Sequence, residues 1–517
     1  DMYFDDINND SLQRDDITIF DLMTHTAGFD ARFLDQMDFK YKQELKSLKE
    51  VLADMPDVIR PPGTIMSYSN WGITALGRIV EKVSGLTIDD YIKKNIFKPL
   101  KMDNSYYSYK PKMEKNLAQG YLYSPIKKKL IPKGPVRYHI HPAGFSFSNA
   151  RDMGKFIRFL LNGNEQVLSS KYLKQMQETQ FSYNKEMLGN GLIFYERQRN
   201  GHKIIGHEGD GPTYASQLSI YPKKNIGFFI SINKDDQTSS NFQFRLNFEK
   251  KFYELFTESK NNTSKIAKPY DKDIKKYFGN YFAVRTPLKS PFKIFRVGTG
   301  AFQVSSHNHT SIKVSLRGKD YIYKHVGNGK FRNSKDGLLI FKSVQKNKYV
   351  MTDYIEMLGK YSPLSNGTYQ KLSFNESILD SLAKYIFIAA LILSICYLIF
   401  FIQFKRKNTI GKIEKKCFII TIATIISMVL IIILIAFMLI NFMKLNLDIE
   451  PLLIAYHITS YLILILSVAL IWQTIKLLRN KSFHIIGIVL QLTITLTILI
   501  FMVVIINFNG LNITYLF

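Results

Sequence analysis

The sequence is nearly without cysteine. Two occur in 517 residues, Cys396 and Cys417, both in or beside long uncharged runs near the C-terminal end. Everything before them lacks a thiol, which excludes a disulfide framework and a thiolate metal site from the globular part. Acidic residues are also scarce. Asp and Glu number 42 against 69 Lys and Arg, a formal net charge of +27. Before Lys384 the balance is 58 basic against 39 acidic residues. That excess leaves two readings open: solvated surface charge in a lysine-rich chain, or attraction to anionic surroundings such as acidic cell-wall polymers or lipid headgroups. No nucleic-acid-binding motif accompanies it, so nucleic acid is not expected as a partner. The first residues, Asp-Met-Tyr-Phe-Asp-Asp, include neither an initiating methionine nor an apolar leader and read as mid-domain sequence. The expectation is that the natural start lies upstream, so the missing signal peptide carries no information.

Long hydrophobic runs are present at one end only. After Lys384 come four: Tyr385–Phe404, Cys417–Met443, Pro451–Ile475 and Ile485 onward. Each is long enough to cross a bilayer as a helix, so four transmembrane helices in the cell membrane are expected over 376–517. Lys405, Arg406, Lys407, Lys412, Lys415 and Lys416 crowd the first connector, and Lys476, Arg479 and Lys481 the third. The second has only Lys444, beside Asp448 and Glu450. By the positive-inside rule the first and third connectors are cytoplasmic, which places residues 1–380 outside the cytoplasm.

The rest divides in two. Residues 1–260 alternate helical and strand-like patterns. Helices are expected from Asp15-Asp16 through Met23, over 72–85 with Ile73, Leu76, Ile79, Val80 and Val83 as the apolar face, over 148–161, and over 240–256. Gln217–Tyr221 and Ile226–Asn233 read as strands joined at Pro222–Asn225. Asn261–Ser264 reads as a linker. Beyond it, over 261–375, short strands alternate with turns at 292–297, 312–316, 321–323, 337–341 and 349–351, with Gly327-Asn328-Gly329 as a turn signal. This is a small β-rich module, a sandwich or a barrel, without a catalytic constellation.

The chemistry centres on Pro61-Pro62-Gly63-Thr64-Ile65-Met66-Ser67-Tyr68-Ser69-Asn70-Trp71-Gly72. Pro-Pro-Gly sets a tight turn, because proline presets φ and glycine accepts the left-handed region. Tyr68 and Asn70, two apart before a helix, can aim a phenol and an amide into one pocket, as a proton-transfer group and a substrate handle. Alone, the pair reads better as a helix cap with a packed tyrosine.

This stretch resembles the Tyr-x-Asn motif of the serine β-lactamase and penicillin-binding-protein-like hydrolases, near the class C branch. Four further segments agree in order: Ile17–Gly28 with its Thr24-His25-Thr26-Ala27-Gly28 end, Ile96–Met102, Pro142–Met153, and Gly206-His207-Glu208-Gly209 ahead of a strand. The resemblance implies an α/β (α+β) fold, an antiparallel sheet flanked by helices, over residues 1–260. It implies Tyr68 as proton relay, Asn70 as substrate-binding residue, and His207 with Gly209 as the third motif, Gly209 letting substrate backbone approach the strand. On its own, His207 is better read as a hydrogen-bonded strand-end histidine, and His25 braces the loop near the site. No cofactor or metal is implied. His139 and His141 have no third ligand in view and read as loop residues.

One part of that chemistry is missing. Enzymes of this class attack a carbonyl with the serine of Ser-x-x-Lys, whose spacing puts both side chains on one helix face. No such string precedes Tyr68. Those at Ser124, Ser182, Ser290 and Ser381 follow it and read as chance. There is no Gly-x-Ser-x-Gly elbow either, which argues against an α/β-hydrolase. The expectation is a membrane-anchored extracytoplasmic serine hydrolase, acting on a D-amino-acid peptide, a β-lactam or an ester, and inactive without its nucleophile segment. The alternative is a non-catalytic wall-binding or sensor membrane protein.

Overall fold

Short polar side chains set the helix starts, and one differs from expectation. The helix Ile19–Met23 is capped by Thr18, whose side chain accepts the Asp21 N–H while the Asp21 carboxylate accepts the Thr18 N–H. Asp15 and Asp16 precede this reciprocal cap and do not form it. Helix α1 (Asn70–Ser84) starts at Ser69, which accepts the Gly72 N–H at 3.1 Å, and stops at Gly85, whose φ of 67° suits glycine. Its buried side also differs from expectation. Trp71, Thr74, Ala75, Gly77 and Ile79 face the interior, whereas Val83 is exposed. Small residues win because the helix is approached closely: a Cβ on Gly77 would lie 2.6 Å from the Pro142 ring. Helix α2 (Ala150–Asn162) is capped by Asn149 and ends at Gly163.

The structure, a computed structural model, describes the chain except residues 1–2, 33–36, 39–40, 125–126, 200, 236–239, 259–268, 270–273, 291–292, 294–295, 297–301, 317–318, 334–337, 346–347, 354–367, 408–410, 444–449, 480–484 and 508–517. The expected linker at 261–264 and most of the second membrane connector lie outside the described residues. Two compact units are present: Asp1–Arg285 with Phe302–Lys371, and Thr286–Ala301 with Leu372–Phe517.

In the first unit, β1 (Tyr195–Arg199), β2 (His202–Asp210), β3 (Ala215–Tyr221) and β4 (Ile226–Ile232) form an antiparallel sheet in sequence order. Pro222–Lys224 and Asn225, at φ 54°, make the turn between β3 and β4. Helix α3 (Ser240–Glu254) follows. Alternation along β2 sends Ile204 and Ile205 to opposite faces. Ile205 packs with Leu218, Ile220, Ile157 and Leu160, the last two from α2. Ile204 packs with Tyr221, Phe228 and, from α3, Tyr253. The domain is thus an antiparallel sheet between helices.

The β-rich module is a closed barrel of eight antiparallel strands: β5 (Gly279–Ala283), β6 (Phe302–Asn308), β7 (Ser311–Leu316), β8 (Lys319–Gly327), β9 (Lys330–Arg332), β10 (Leu338–Gln345), β11 (Lys348–Asp353) and β12 (Thr368–Lys371). β12 closes it onto β5, pairing Tyr281 with Lys371. Tyr281, Tyr323, Phe331, Phe341 and Tyr369 fill the interior. Gly327, Asn328 and Gly329, all at positive φ, turn β8 into β9. The strand expected at 292–297 is not found at its described positions, where Lys293 and Arg296 are in helical turns; its other residues lie outside the description.

In the second unit four helices follow: α4 (Phe374–Lys407), α5 (Lys412–Met443), α6 (Glu450–Arg479) and α7 (Ile485–Asn507). Among the described residues three segments are long and apolar enough to cross a membrane: Lys412–Ile435, Leu452–Arg479 and Ile485–Asn507. The expected count of four is corrected to three on this criterion. The first run lies within α4, several of whose side chains lie outside the description. The first turns of α4 are polar, and Glu376 and Asp380 hold the buried Arg296 at 3.1 and 2.7 Å. Inside the bundle the Gln491 amide donates to Thr421 and Thr474 at 3.2 and 3.3 Å, tying α7 to α5 and α6.

Candidate active site

Two loops zip together around Tyr68. The Ser67 N–H donates to the His25 carbonyl at 2.8 Å and the Gly63 N–H to the Thr26 carbonyl at 2.9 Å. Gly28 allows this approach: its φ is 85°, and a Cβ there would lie 2.1 Å from the Arg60 carbonyl oxygen. The Asn190 amide donates to the Thr24 carbonyl at 3.1 Å, and the Ile193 N–H to the Met23 carbonyl at 3.0 Å, drawing the start of β1 to the same place. His25 and Ile193 both have positive φ, 58° and 74°. Non-glycine residues rarely take that conformation, and it concentrates at functional sites.

Around this junction four rings converge. The Tyr68 ring centroid lies 4.5 Å from that of His25, 6.1 Å from that of His207 and 6.3 Å from that of Tyr195. Tyr195 stacks on His207 at 5.1 Å. The guanidinium carbon of Arg285 sits 4.5 Å from the centre of the Tyr68 ring, within cation–π range.

Both histidines are held neutral. His25 accepts the Ser69 N–H through Nδ1 at 3.3 Å, so its single proton is on Nε2. Burial, then the charges of His207 and Arg285, push its pKa down to about 3. Its Nε2 is buried without a hydrogen-bond partner among the described residues. Leaving a buried donor unpaired costs roughly 1–3 kcal/mol, a cost more often tolerated at working sites than elsewhere. His207 donates Nδ1–H to the Glu208 carbonyl at 2.5 Å, which leaves Nε2 as an acceptor. Burial first and Arg197 second lower its pKa to about 4, opposed by Asp210. Burial raises the Tyr68 pKa while Arg285 lowers it.

A buried ion network backs His207. Arg197 pairs with Glu208 and, at 3.2 Å, with Glu249 of α3. Glu249 also pairs with Arg199 and accepts the Gln217 amide at 2.8 Å. Arg245 of α3 binds Asp210 at 2.5 Å and the Ser216 carbonyl at 2.6 Å. The end of β2 is therefore braced from α3.

The structure brings Tyr68 and His207 together. Asn70, the first residue of α1, is half-buried two positions beyond Tyr68. Gly206-His207-Glu208-Gly209 lies within β2, not ahead of a strand as the sequence suggests. Gly209 sits opposite Ser216, and a Cβ there would meet the Ser216 hydroxyl at 2.5 Å, so the sheet itself requires glycine. His141 donates Nδ1–H to the His139 carbonyl at 3.2 Å. Tyr195 and Arg285 carry no motif, and sequence reasoning missed both. Only the fold shows them beside Tyr68.

An antiparallel sheet thus lies between helices, with a tyrosine from a turn and a histidine from a strand close together beside it. Residues 8–249 match the family model described as beta-lactamase. This domain belongs to the serine β-lactamase and penicillin-binding-protein-like family. Among curated relatives, an unguisins hydrolase of Aspergillus campestris is 25% identical over 246 residues, covering 44% of this chain and 44% of that protein. A beta-lactamase of Yersinia enterocolitica is 27% identical over 168 residues, covering 32% of this chain and 40% of that protein. The match spans less than half the length of these relatives. Among solved structures, the octameric penicillin-binding protein homologue of Pyrococcus abyssi aligns at a TM-score of 0.40 and 22% identity, over 69% of this chain and 78% of that one.

Proposed function

We propose that the pocket at Tyr68 and His207 is an acyl-transfer or hydrolysis site for a D-amino-acid peptide, a β-lactam or an ester. The observation that carries this is the 6.1 Å approach of the Tyr68 and His207 rings from opposite parts of the domain. Tyr68 is the proton relay. His207, neutral and with Nε2 as acceptor, takes a hydrogen bond or a proton from the reacting group. Asn70 holds the substrate by its amide, and substrate backbone passes over Gly209. No residue is assigned here as the serine nucleophile of this chemistry. The apolar C-terminal helices anchor the protein in the cell membrane, with residues 1–380 outside the cytoplasm.

The test treats the full chain with a fluorescent penicillin and a reactive phosphonate, then follows reversible binding of an N-acylated D-alanyl ester. The expected result is reversible binding that weakens about tenfold or more in Tyr68→Phe and His207→Ala, with no covalent adduct. An adduct mapped to any residue of the chain overturns the assignment of the nucleophile. Failure to bind or turn over every ester, amide and β-lactam offered leaves the non-catalytic reading as the better one.

A further inference from the structure

A hairpin stands between the barrel and the pocket. Phe181 and Asn190 pair across its base, beside Gly189, where a Cβ would lie 1.9 Å from the Phe181 carbonyl oxygen. At that end the Asn190 amide holds the Thr24 carbonyl, next to His25. At the other end the Tyr183 ring packs with Met187 against Leu338 and Ile340 of β10. The same ring packs against Ile65, Val284 and Val350, where the chain leading to Tyr68 meets the barrel.

Tyr183 also makes two polar bonds there. Its hydroxyl accepts the Met66 N–H at 2.8 Å and is hydrogen-bonded to the Thr368 side chain of β12. Met66 is buried, and a buried N–H needs a partner. That partner is a side chain far along the sequence, itself held by the barrel. Tyr68 lies two residues further on. Arg60, buried on the other side of the Pro61-Pro62-Gly63 turn, makes a second tie. It donates to the Val284 carbonyl at 2.8 Å and to the Gln370 side chain of β12 at 3.3 Å. Between the two ties the prolines fix φ, and just beyond them the Ser67 N–H binds the His25 carbonyl. The backbone entering Tyr68 is therefore fastened to the barrel before and after the turn. The barrel side of each tie lies outside the residues 8–249 that match the family model.

We propose that Tyr183 is a positioning residue through which the barrel sets the place of Tyr68, with Arg60 as the second tie. The barrel is then part of the frame that holds the phenol beside His207, and not a spacer. The inference rests on the Tyr68–His207 pocket being the substrate site, and it adds how the tyrosine of that site is held.

The experiment reads the surroundings of Tyr68 directly. The full chain in detergent carries 3-fluorotyrosine at position 68 alone, and its fluorine NMR line is recorded in wild type and variants. Tyr183→Phe removes the hydroxyl that binds Met66, and Thr368→Val removes the barrel partner of that hydroxyl. The line is expected to move in the same direction in both, and the double variant to move no further than the larger single shift. Lys330→Ala, which breaks the exposed barrel contact to Glu186, should leave it in place. Reversible binding of an N-acylated D-alanyl ester should weaken about three- to tenfold in Tyr183→Phe and Thr368→Val, the range of one hydrogen bond. A line unmoved in Thr368→Val overturns the proposal. So does a lowered thermal midpoint without a moved line, which is a structural role alone. If Thr368→Val does not fold, Gln370→Leu, which removes one contact of Arg60, decides by the same criterion. A line that follows the barrel substitutions in a chain that binds no ester, amide or β-lactam keeps the tie and sinks the hydrolase reading. Ligand binding with an unmoved line sinks the tie alone.

Discussion

His25 and His207 are kept neutral by different bonds with the same consequence. Protonating His25 at Nδ1 would break its bond from the Ser69 N–H, and charging His207 would add a cation beside Arg197. Both have folded pKa values below the ordinary 6.5, about 3 and about 4. As pH falls the unfolded chain therefore takes up these protons first. The stability gained by neutral burial is full above about pH 6.5 and is lost on acidification, down to about 4 for His207 and about 3 for His25. Each ring contributes a slope of up to roughly 1.4 kcal/mol per pH unit inside its window. Hydrogen-exchange protection of β2, followed in the full chain from pH 7.5 to 5, should fall on acidification, and fall less steeply in His207→Gln. An identical slope in wild type and variant would show that His207 is not buried as a neutral ring.

Helices and strands here are held by buried polar side chains as well as by apolar faces. Glu249 of α3 has no exposed surface and joins Arg197 and Arg199 of β1 to Gln217 of β3. Removing one member of a buried charge network leaves its partners uncompensated, a loss of roughly 3–5 kcal/mol. Glu249→Ala should therefore lower the thermal midpoint of the domain by several degrees. It should also disturb the Tyr195–His207 stack, because β1 and the end of β2 lose their brace. A variant that melts within about a degree of wild type would mean that the network is solvated and contributes little. Close packing explains why the buried side of α1 differs in part from its apolar pattern. Gly77 faces inward because the Pro142 ring packs against the helix there, a requirement that apolar periodicity does not report.

At the scale of the whole molecule, three helices among the described residues are long and apolar enough to cross a membrane, and the basic connectors at Lys405–Lys416 and Lys476–Lys481 set the expected orientation. Protease added to intact cells stripped of their wall should digest the hydrolase domain and the barrel and spare the helices. Cutting confined to the Lys405–Lys416 connector would reverse the assignment.

Much of the fold was legible locally. Proline and glycine at the turns, side-chain caps at Ser69 and Asn149, β-branched and aromatic runs at 217–232, and uncharged runs after Lys384 each act through neighbours a few residues away, so sequence alone determined those elements. Tyr68 and His207 were singled out by resemblance to short family motifs, and the fold brings their rings to 6.1 Å. Closure of the barrel was not, since β5 meets β12 across a long separation and β9 and β12 are too short to show a period. Nor was the site complete on paper. Tyr195 and Arg285 stand beside Tyr68 only because the sheet and the closed barrel carry them there, and a contact between residues so far apart in the chain leaves no local trace for a sequence to show.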